Sequence, residues 1–260
     1  MWNDTLQNFA DELLDIFRYR KLERRSDVPI TALSLDEAYA IQAHNIERRI
    51  ASGERAVGYK IGCTSRAIRE QFGLGDPVSA RLMAPYLYEG PASLITSDYV
   101  NCAVEPEFVF RIGCDVTAEF IEHRNISESI EYISPGIEVH HYKFWYGAPS
   151  FQELISSNAI HACVIVGHEK RGLGNLDLEM ERVGLFSGAD LVASGIGAEI
   201  LGGPLKSLAW LAGNLLHRGE YLKEGDLVIP GSPVKLVTVE KGAEITSRFT
   251  HFGSVQALFH

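Results

Sequence analysis

The stretch VEPEFVFRIG, at residues 104–113, is the most informative part of the sequence. Charged and apolar residues alternate in it, which is typical of a β-strand. Alternate side chains of a strand lie on the same face, so Glu105 and Glu107 are predicted to point the same way. Pro106 lacks a backbone donor, and it predicts that this strand lies at a sheet edge or contains a bulge.

The spacing of Glu105 and Glu107 has two interpretations. Like charges this close repel one another, and each would protonate rather than share a dry site. A hard divalent cation removes the conflict, and carboxylates suit Mg²⁺ or Mn²⁺. The alternative is a solvated strand face with Arg111 further along it, and spacing alone leaves both interpretations open.

A third carboxylate lies in PGIEVHHY, at residues 135–142. Glu138 stands in a short apolar run bounded by Pro-Gly, and it is either a further ligand or an outward-facing residue. His140 and His141 follow it, but adjacent residues in a strand face opposite ways. We therefore interpret both histidines as surface residues or as residues behind the ligands, not as a zinc site.

Lys60 lies between Gly58 and Gly62 in the apolar run VGYKIG, where glycines let the backbone approach a ligand. A lysine there is suited to stabilise an enolate oxygen, or to transfer a proton if its pKa is lowered. The alternative is a lysine at a strand end whose amine reaches solvent. The turn PGSP, at residues 230–233, is of the kind that presents backbone amides to a carboxylate.

Two helical patterns open the chain, over residues 3–24 and from residue 34 onward. Ser34 and Glu37 form a capping box at the start of the second helix, and Gly53 is predicted to end it. The sequence therefore predicts a helical N-terminal region.

The remainder is rich in short β runs separated by Gly and Pro. Further helices are predicted near residues 66–72, 117–131, 151–157 and 204–218. The pattern is that of an α+β protein, with a helical N-terminal region at 1–55 and a β-rich catalytic domain at 56–260.

The charge balance excludes two classes of partner. There are 24 Lys and Arg against 34 Asp and Glu, so the formal net charge is −10. Such a chain has neither the basic patch of a nucleic-acid-binding protein nor an attraction to anionic membranes. The four cysteines have no paired spacing, and neither a signal peptide nor a membrane span is recognised. A reducing cytoplasm is therefore the expected location.

Taken in order, the motifs resemble the fumarylacetoacetate hydrolase superfamily, and within it the branch of 2-keto-4-pentenoate hydratases and 2-oxo-3-hexenedioate decarboxylases. Glu-x-Glu followed about thirty residues later by a third glutamate is the specific part of the resemblance. Most of the chain takes part, through AYAIQ at 38–42, VGYKIGCTS at 57–65, VEPEFVFRIG at 104–113, GIEV at 136–139, SSNAIHACVIVG at 156–167, and LAWLAGNL and LKEGDLVIPGS towards the C-terminus.

The resemblance implies a fumarylacetoacetase-like fold, in which a mixed β-sheet forms a roll or barrel. It implies three groups of site residues, namely Glu105, Glu107 and Glu138 as ligands of one Mg²⁺ or Mn²⁺, Lys60 as the catalytic residue, and Ser232, Gly231 and Asn158 as substrate contacts. Many relatives have Asp-Asn where this chain has Ser157-Asn158, so a polar contact or a proton carrier is expected to differ.

The substrate implied is a small 2-oxo or 2-hydroxy acid whose carboxylate and 2-oxygen chelate the metal. The expected enzyme is a lyase of aromatic-compound catabolism, a hydratase that converts a 2-hydroxypenta-2,4-dienoate-like substrate into a 4-hydroxy-2-oxo acid. The alternative is 2-oxo-3-hexenedioate (4-oxalocrotonate) decarboxylation, because both reactions use the same electron sink.

Two less favoured functions are an acylpyruvate hydrolase and a non-catalytic binding partner. The hydrolase is less expected because TSRAIREQF, at residues 64–72, has no histidine to pair with Glu70. The resemblance also implies a homo-oligomer, in association with a pathway partner enzyme in some cases. Phe144, Trp145 and Tyr146 are candidate interface residues, or else part of the core or the pocket wall.

Overall fold

Two helices begin the chain. The computed structural model describes residues 2–25, 27–66, 69–70, 73–144 and 150–260. Helix α1 spans Asp4–Tyr19 and buries one apolar stripe. The predicted helix over 3–24 is too long, because Arg20 takes a left-handed conformation (φ 59°) and its N–H bonds to the carbonyl of Ile16, which ends the helix.

Helix α2 spans Leu35–Ala51, and its predicted capping box is confirmed. The Ser34 hydroxyl accepts from the backbone N–H of Glu37, and the Glu37 carboxylate accepts from the backbone N–H of Ser34. Gly53 follows the helix with φ 101°, as expected for its stop. Among the helices whose bounds lie wholly within the described residues, three α-helices follow, and they are α3 at Ala118–His123, α4 at Phe151–Ser156 and α5 at Pro204–His217.

The predicted helix over 117–131 is wrong beyond His123. Asn125 starts a new capping box with Glu128, which forms a 3₁₀ turn at Ile126–Ser129. The next strand follows it directly. The predicted helix at 66–72 lies partly outside the described residues.

The larger sheet has eight strands, which are β1 at Ala56–Gly62, β2 at Val78–Met83, β3 at Leu87–Glu89, β5 at Ala103–Ile112, β6 at Ile130–His140, β7 at His161–Val166, β10 at Leu227–Ile229 and β11 at Val237–Thr238. They lie in the order β2-β1-β10-β5-β6-β7-β3, and β11 also pairs with β5. Two of the pairings, β1 with β10 and β3 with β7, are parallel, so the sheet is mixed.

The smaller sheet has five strands in the order β4-β13-β12-β8-β9. Only the pairing of β13 with β4 is parallel among its described ladders. Its strands are β4 at Ala92–Leu94, β8 at Arg182–Ser187, β9 at Asp190–Ile196, β12 at Glu244–Phe249 and β13 at Gly253–Phe259. The predicted α+β class is thus confirmed.

Strand β5 lies inside the larger sheet, so the sheet edge predicted from Pro106 is wrong. The alternative, a bulge, is present in β5 as a register shift, but it lies between Arg111 and Ile112 and not at the proline. Strand β5 pairs with β6 along its whole length, and Pro106 lies opposite Ile137 in that ladder. On the other side, β10 and β11 pair with β5 on either side of Pro106 and leave a gap there. The proline is tolerated because none of the described strands pairs with it on that side.

The two faces of β5 have different surroundings. On one face, Phe108 and Phe110 enter a fully buried core shared with α5 and the smaller sheet. The ring of Phe108 lies 5.0 Å from that of Phe249 and 5.5 Å from that of Phe252. The opposite face, here called the inner face, carries Glu105 and Glu107.

The N-terminal helices pack onto the β-rich part. Apolar residues of α1 share a buried cluster with Val100, Phe144 and Ile160. Phe144 therefore belongs to the core, whereas Trp145 and Tyr146 lie outside the described residues. None of the helices in the described ranges has the length and apolar character needed to cross a membrane.

Candidate active site

Three glutamates meet on the inner face of the larger sheet. Glu105 lies directly opposite Glu138 in the β5–β6 ladder, and Glu107 follows on the same face of β5. Glu107 and Glu138 are fully buried, and the Glu105 side chain is 16% exposed. The alternatives of a solvated strand face and of an outward-facing Glu138 are therefore wrong.

Lys60 joins the glutamates from strand β1. Its Nζ lies 2.7 Å from Oε1 of Glu138 and donates to the carbonyl of Ala159 at 3.2 Å. The side chain is buried, so the alternative of an amine that reaches solvent is wrong. Gly58 allows β1 to lie this close to β10, because a Cβ there would be 1.8 Å from the Leu227 carbonyl oxygen.

His161, at the start of β7, is a site residue that sequence reasoning missed. A register shift between Val139 and His140 places His161 opposite His140 in the β6–β7 ladder. The Nδ1 of His161 is 2.6 Å from Oε1 of Glu138. Burial lowers the pKa of His161 despite that bond, so the neutral ring donates its Nδ1 proton to Glu138. The sequence carries no signal of the register shift.

His140 and His141 are both buried, so their interpretation as surface residues is wrong. They face opposite ways as predicted, because His140 lies beside Glu138 whereas His141 lies against the ring of Phe17. Burial lowers the pKa of His141 to about 3, and its Nδ1 accepts from the N–H of Val100. The two-residue spacing from Glu138 to His140 was the signal that could have placed His140 in the site.

The Pro-Gly-Ser-Pro turn presents a backbone amide to a carboxylate, as its sequence predicted. The N–H of Gly231 donates to Oε2 of Glu107 at 3.1 Å. Gly231 has φ 113°, and a Cβ there would lie 2.6 Å from Cγ2 of Thr64, so glycine is required. Ser232 is half-buried, and its Oγ accepts from the N–H of Val234. Its contact with a substrate stays a prediction.

A left-handed turn supports Lys60. Asn158, Ala159 and Ile160 have φ of 59°, 52° and 52°, which is strained for residues other than glycine. The Asn158 amide stabilises the turn, since it accepts from the N–H of Arg81 at 2.8 Å and donates to the Arg81 carbonyl at 2.9 Å. Asn158 thus lies near the site through Ala159, and its contact with a substrate stays a prediction.

One lysine faces three carboxylates, and this imbalance contributes to shifts in the pKa values of Lys60, Glu107 and Glu138. Burial opposes the ionised form of Glu138, but Lys60 and the two neighbouring histidines outweigh it and lower the Glu138 pKa. Burial likewise opposes the charge of Lys60, but Glu138 and Glu105 outweigh it and raise the Lys60 pKa. The ammonium form is therefore favoured, which suits electrostatic stabilisation. Burial raises the Glu107 pKa well above its usual range, and the other two carboxylates add to the shift.

The donor atoms fit a divalent cation. Buried atoms that have no hydrogen-bond partner among the described residues include Oε1 of Glu107, Oε2 of Glu138 and both ring nitrogens of His140. One donor atom each of Glu105, Glu138 and His140 lie within 4.8 Å of one another. A dication would neutralise the excess carboxylate charge and give these atoms a partner. Of the predicted ligands, Glu105 and Glu138 belong to this cluster, and the role of Glu107 stays a prediction.

The fold as a whole is shared with a solved structure. The 4-oxalocrotonate decarboxylase from Pseudomonas putida G7, complexed with magnesium and adipate, has a TM-score of 0.90 and 24% sequence identity. The match covers 100% of this chain and 99% of that one. It confirms the fumarylacetoacetase-like class of fold that the motifs implied.

The sequence relatives then identify the family. No family model matches the sequence. A 2-keto-4-pentenoate hydratase of Paraburkholderia phymatum is 32% identical over 222 residues, which cover 85% of this chain and 85% of that protein. The TodF product hydratase of Pseudomonas putida is 31% identical over 230 residues, covering 86% of this chain and 84% of that protein. The chain belongs to the 2-keto-4-pentenoate hydratase family, which lies in the branch that its motifs indicated.

Proposed function

We propose that the protein is a divalent-cation-dependent hydratase that adds water to a 2-hydroxypenta-2,4-dienoate-like substrate and forms a 4-hydroxy-2-oxo acid. The observation that carries this proposal is the buried contact of Lys60 with Glu138, in a cluster of carboxylates that has more negative charge than the lysine can balance. The hydratase names of the relatives supply the reaction type. A place in aromatic-compound catabolism belongs to the same proposal.

Glu105, Glu107 and Glu138 would hold Mg²⁺ or Mn²⁺, which suit carboxylate ligands. When bound, the cation supplies Lewis acidity toward the carboxylate and 2-oxygen of the substrate. The chain's own residues hold the ligands in place. His161 donates to Glu138, and the backbone N–H of Gly231 donates to Glu107.

Lys60 supplies the positive charge that the reaction needs. Protonation of the dienoate at its far end gives a 2-oxo-3-enoate, and water then adds at C4, which is conjugated to the 2-oxo group. Negative charge develops on the 2-oxygen during that addition. The ammonium of Lys60, held between Glu138 and the Ala159 carbonyl, stabilises this charge in a site from which water is largely excluded. Ser232, Gly231 and Asn158 are proposed to contact the substrate from the two neighbouring turns.

A substrate test separates the hydratase from the decarboxylase. Purified protein with Mg²⁺ or Mn²⁺ is mixed with 2-hydroxypenta-2,4-dienoate, and loss of the dienoate absorbance and formation of the 4-hydroxy-2-oxo acid are followed. Parallel samples contain EDTA, or 2-oxo-3-hexenedioate with detection of CO₂. We expect hydration that EDTA abolishes and added cation restores. CO₂ release without hydration would identify the decarboxylase, which at present rests on a likeness of fold.

Four coarser features complete the proposal. We propose a homo-oligomer, since the edge strand β9 exposes Leu191 (56%) and Val192 (42%). Light scattering on a sizing column tests it, and a monomer would contradict it.

Association with a pathway partner enzyme stays a proposal as well. A cytoplasmic location is supported by the four unpaired cysteines. The division at residues 55 and 56 into a helical region and a catalytic domain also remains proposed.

A further inference from the structure

His140 is a buried imidazole without a hydrogen bond. It follows Glu138 by two residues on β6 and so shares its face of the sheet. Its side chain is 2% exposed, and neither ring nitrogen has a hydrogen-bond partner among the described residues. Buried polar atoms are nearly always paired, so two unpaired ring nitrogens beside carboxylates call for a ligand.

The position of the ring suits a shared ion better than a hydrogen bond. Nε2 of His140 lies 3.4 Å from Oε1 of Glu105 and 3.5 Å from Oε2 of Glu138. Neither contact has the geometry of a hydrogen bond, and Oε2 of Glu138 has no other partner in the described part of the chain. Two donors about 2.1 Å from one ion lie roughly 3.0–3.5 Å apart when the angle between them is about 90–110°.

The other oxygen of Glu138 is already used. Oε1 accepts from both Lys60 and His161, at 2.7 and 2.6 Å. These bonds orient the carboxylate so that Oε2 is the atom left beside His140. Glu105 reaches the same point from the neighbouring strand, where it lies directly opposite Glu138.

We propose that Nε2 of His140 is a ligand of the divalent cation, together with Glu105 and Glu138. This inference rests on the metal site of the proposed function and adds a nitrogen to its oxygen ligands. Imidazole nitrogen favours first-row transition ions, whereas Mg²⁺ prefers oxygen ligands alone. The site therefore binds Mn²⁺ and Co²⁺ in preference to Mg²⁺.

Pulsed electron paramagnetic resonance tests the ligand directly. The purified protein is loaded with one equivalent of Mn²⁺, and the electron spin echo is examined for modulation by a directly bound ¹⁴N. We expect the modulation in the unaltered protein and its loss in His140→Gln. His141→Gln is the matched control, because this neighbouring buried histidine faces away from the site, and it should keep the modulation.

The outcomes separate this inference from the proposed function. Bound Mn²⁺ without ¹⁴N modulation in the unaltered protein overturns the nitrogen ligand and leaves the carboxylate site intact. Modulation that persists in His140→Gln also overturns it. Failure to bind any Mn²⁺ overturns both proposals. Because the first outcome is read on the unaltered protein, the inference stays testable even if the variant does not fold.

Metal competition gives a second readout. Calorimetric titrations with Co²⁺ and with Mg²⁺ yield the ratio of their dissociation constants. We expect the preference for Co²⁺ to fall by at least about tenfold in His140→Gln, in line with the usual cost of altering a metal site's surroundings, and to be unchanged in His141→Gln. An unchanged ratio in His140→Gln contradicts the proposal.

Discussion

The two faces of strand β5 differ in chemical character, since one is apolar and the other carries charged side chains, although neighbouring residues of one strand form both. The outer face buries Phe108 and Phe110 in an apolar cluster with residues of α5 and the smaller sheet. The inner face carries the partly exposed Glu105 and the fully buried Glu107, beside Glu138 and Lys60. Stability and chemistry are thus separated by a single step along the strand. Substitutions on the outer face should chiefly lower stability, and substitutions on the inner face should chiefly lower activity.

The largest effect is expected on the inner face, from Glu107→Gln. Glutamine keeps the shape and can still accept from the N–H of Gly231, so the fold should be retained, but the charged ligand proposed at this position is lost. We expect the hydration rate to fall about a thousandfold, which corresponds to several kcal/mol of lost Lewis-acid stabilisation. Steady-state kinetics at saturating Mg²⁺ or Mn²⁺ measure it. Full activity would contradict both the metal site and the comparison.

The same substitution should lower activity but raise the relative stability of the metal-free protein at higher pH. Because the pKa of Glu107 is raised, the metal-free folded protein keeps a proton on this carboxyl at pH values above 4.5, where the unfolded chain releases it. The protonated carboxyl does not reduce stability below pH 4.5, but stability is lost as the pH rises from 4.5 towards the folded pKa. The stability of Glu107→Gln relative to the unaltered protein should therefore increase as the pH rises. Urea titrations in EDTA measure the difference, and a constant difference would contradict the assigned shift.

On the outer face, Phe108→Ala should chiefly reduce stability. It removes a fully buried ring that contacts Phe249 and Phe252, and such truncations cost about 3–5 kcal/mol of unfolding free energy. Urea denaturation at neutral pH measures the loss. A cost below about 1 kcal/mol, the size typical of an average substitution, would show that Phe108 does not belong to a tightly packed core.

A smaller effect is expected from Lys60→Met, which removes the positive charge and keeps most of the side-chain volume. The hydration rate should fall about a hundredfold, the usual cost of losing one group that stabilises a developing oxyanion. Cation affinity should not weaken, because the carboxylates lose their competing positive charge. Kinetics and calorimetry test the two parts, with the exposed Lys241→Met as the matched control. Loss of cation binding would instead indicate that Lys60 maintains the site's structure.

The smallest effect is expected from Asn158→Ala, which removes the two hydrogen bonds to Arg81 that stabilise the left-handed turn. The loss of buried hydrogen bonds should cost about 1–3 kcal/mol of unfolding free energy. The exposed Asn175→Ala is the control and should change stability by no more than about 0.5 kcal/mol. If Asn158→Ala behaves like its control, the turn has another source of stability.

Local patterns predicted a large part of this molecule. The capping box of Ser34 with Glu37 and the common face of Glu105 and Glu107 follow from contacts within a few residues, and both are present. The prediction of one helix over 117–131 was wrong because a second capping box at Asn125 competes with continuation of the first helix. The prediction of a sheet edge at Pro106 was wrong because a gap between two partner strands accommodates a proline equally well.

By itself, the sequence determined which side chains of β5 share a face, the α+β class and the ordered motifs that indicate the family. Each of these depends on neighbouring residues or on their order. Only the tertiary structure decided that Glu138 lies opposite Glu105, that a register shift brings His161 to Glu138, and that the His140 ring is buried without a hydrogen bond. These features depend on strand pairing between segments far apart in the chain. Pairing is set by the packing of the whole sheet, which no local pattern encodes.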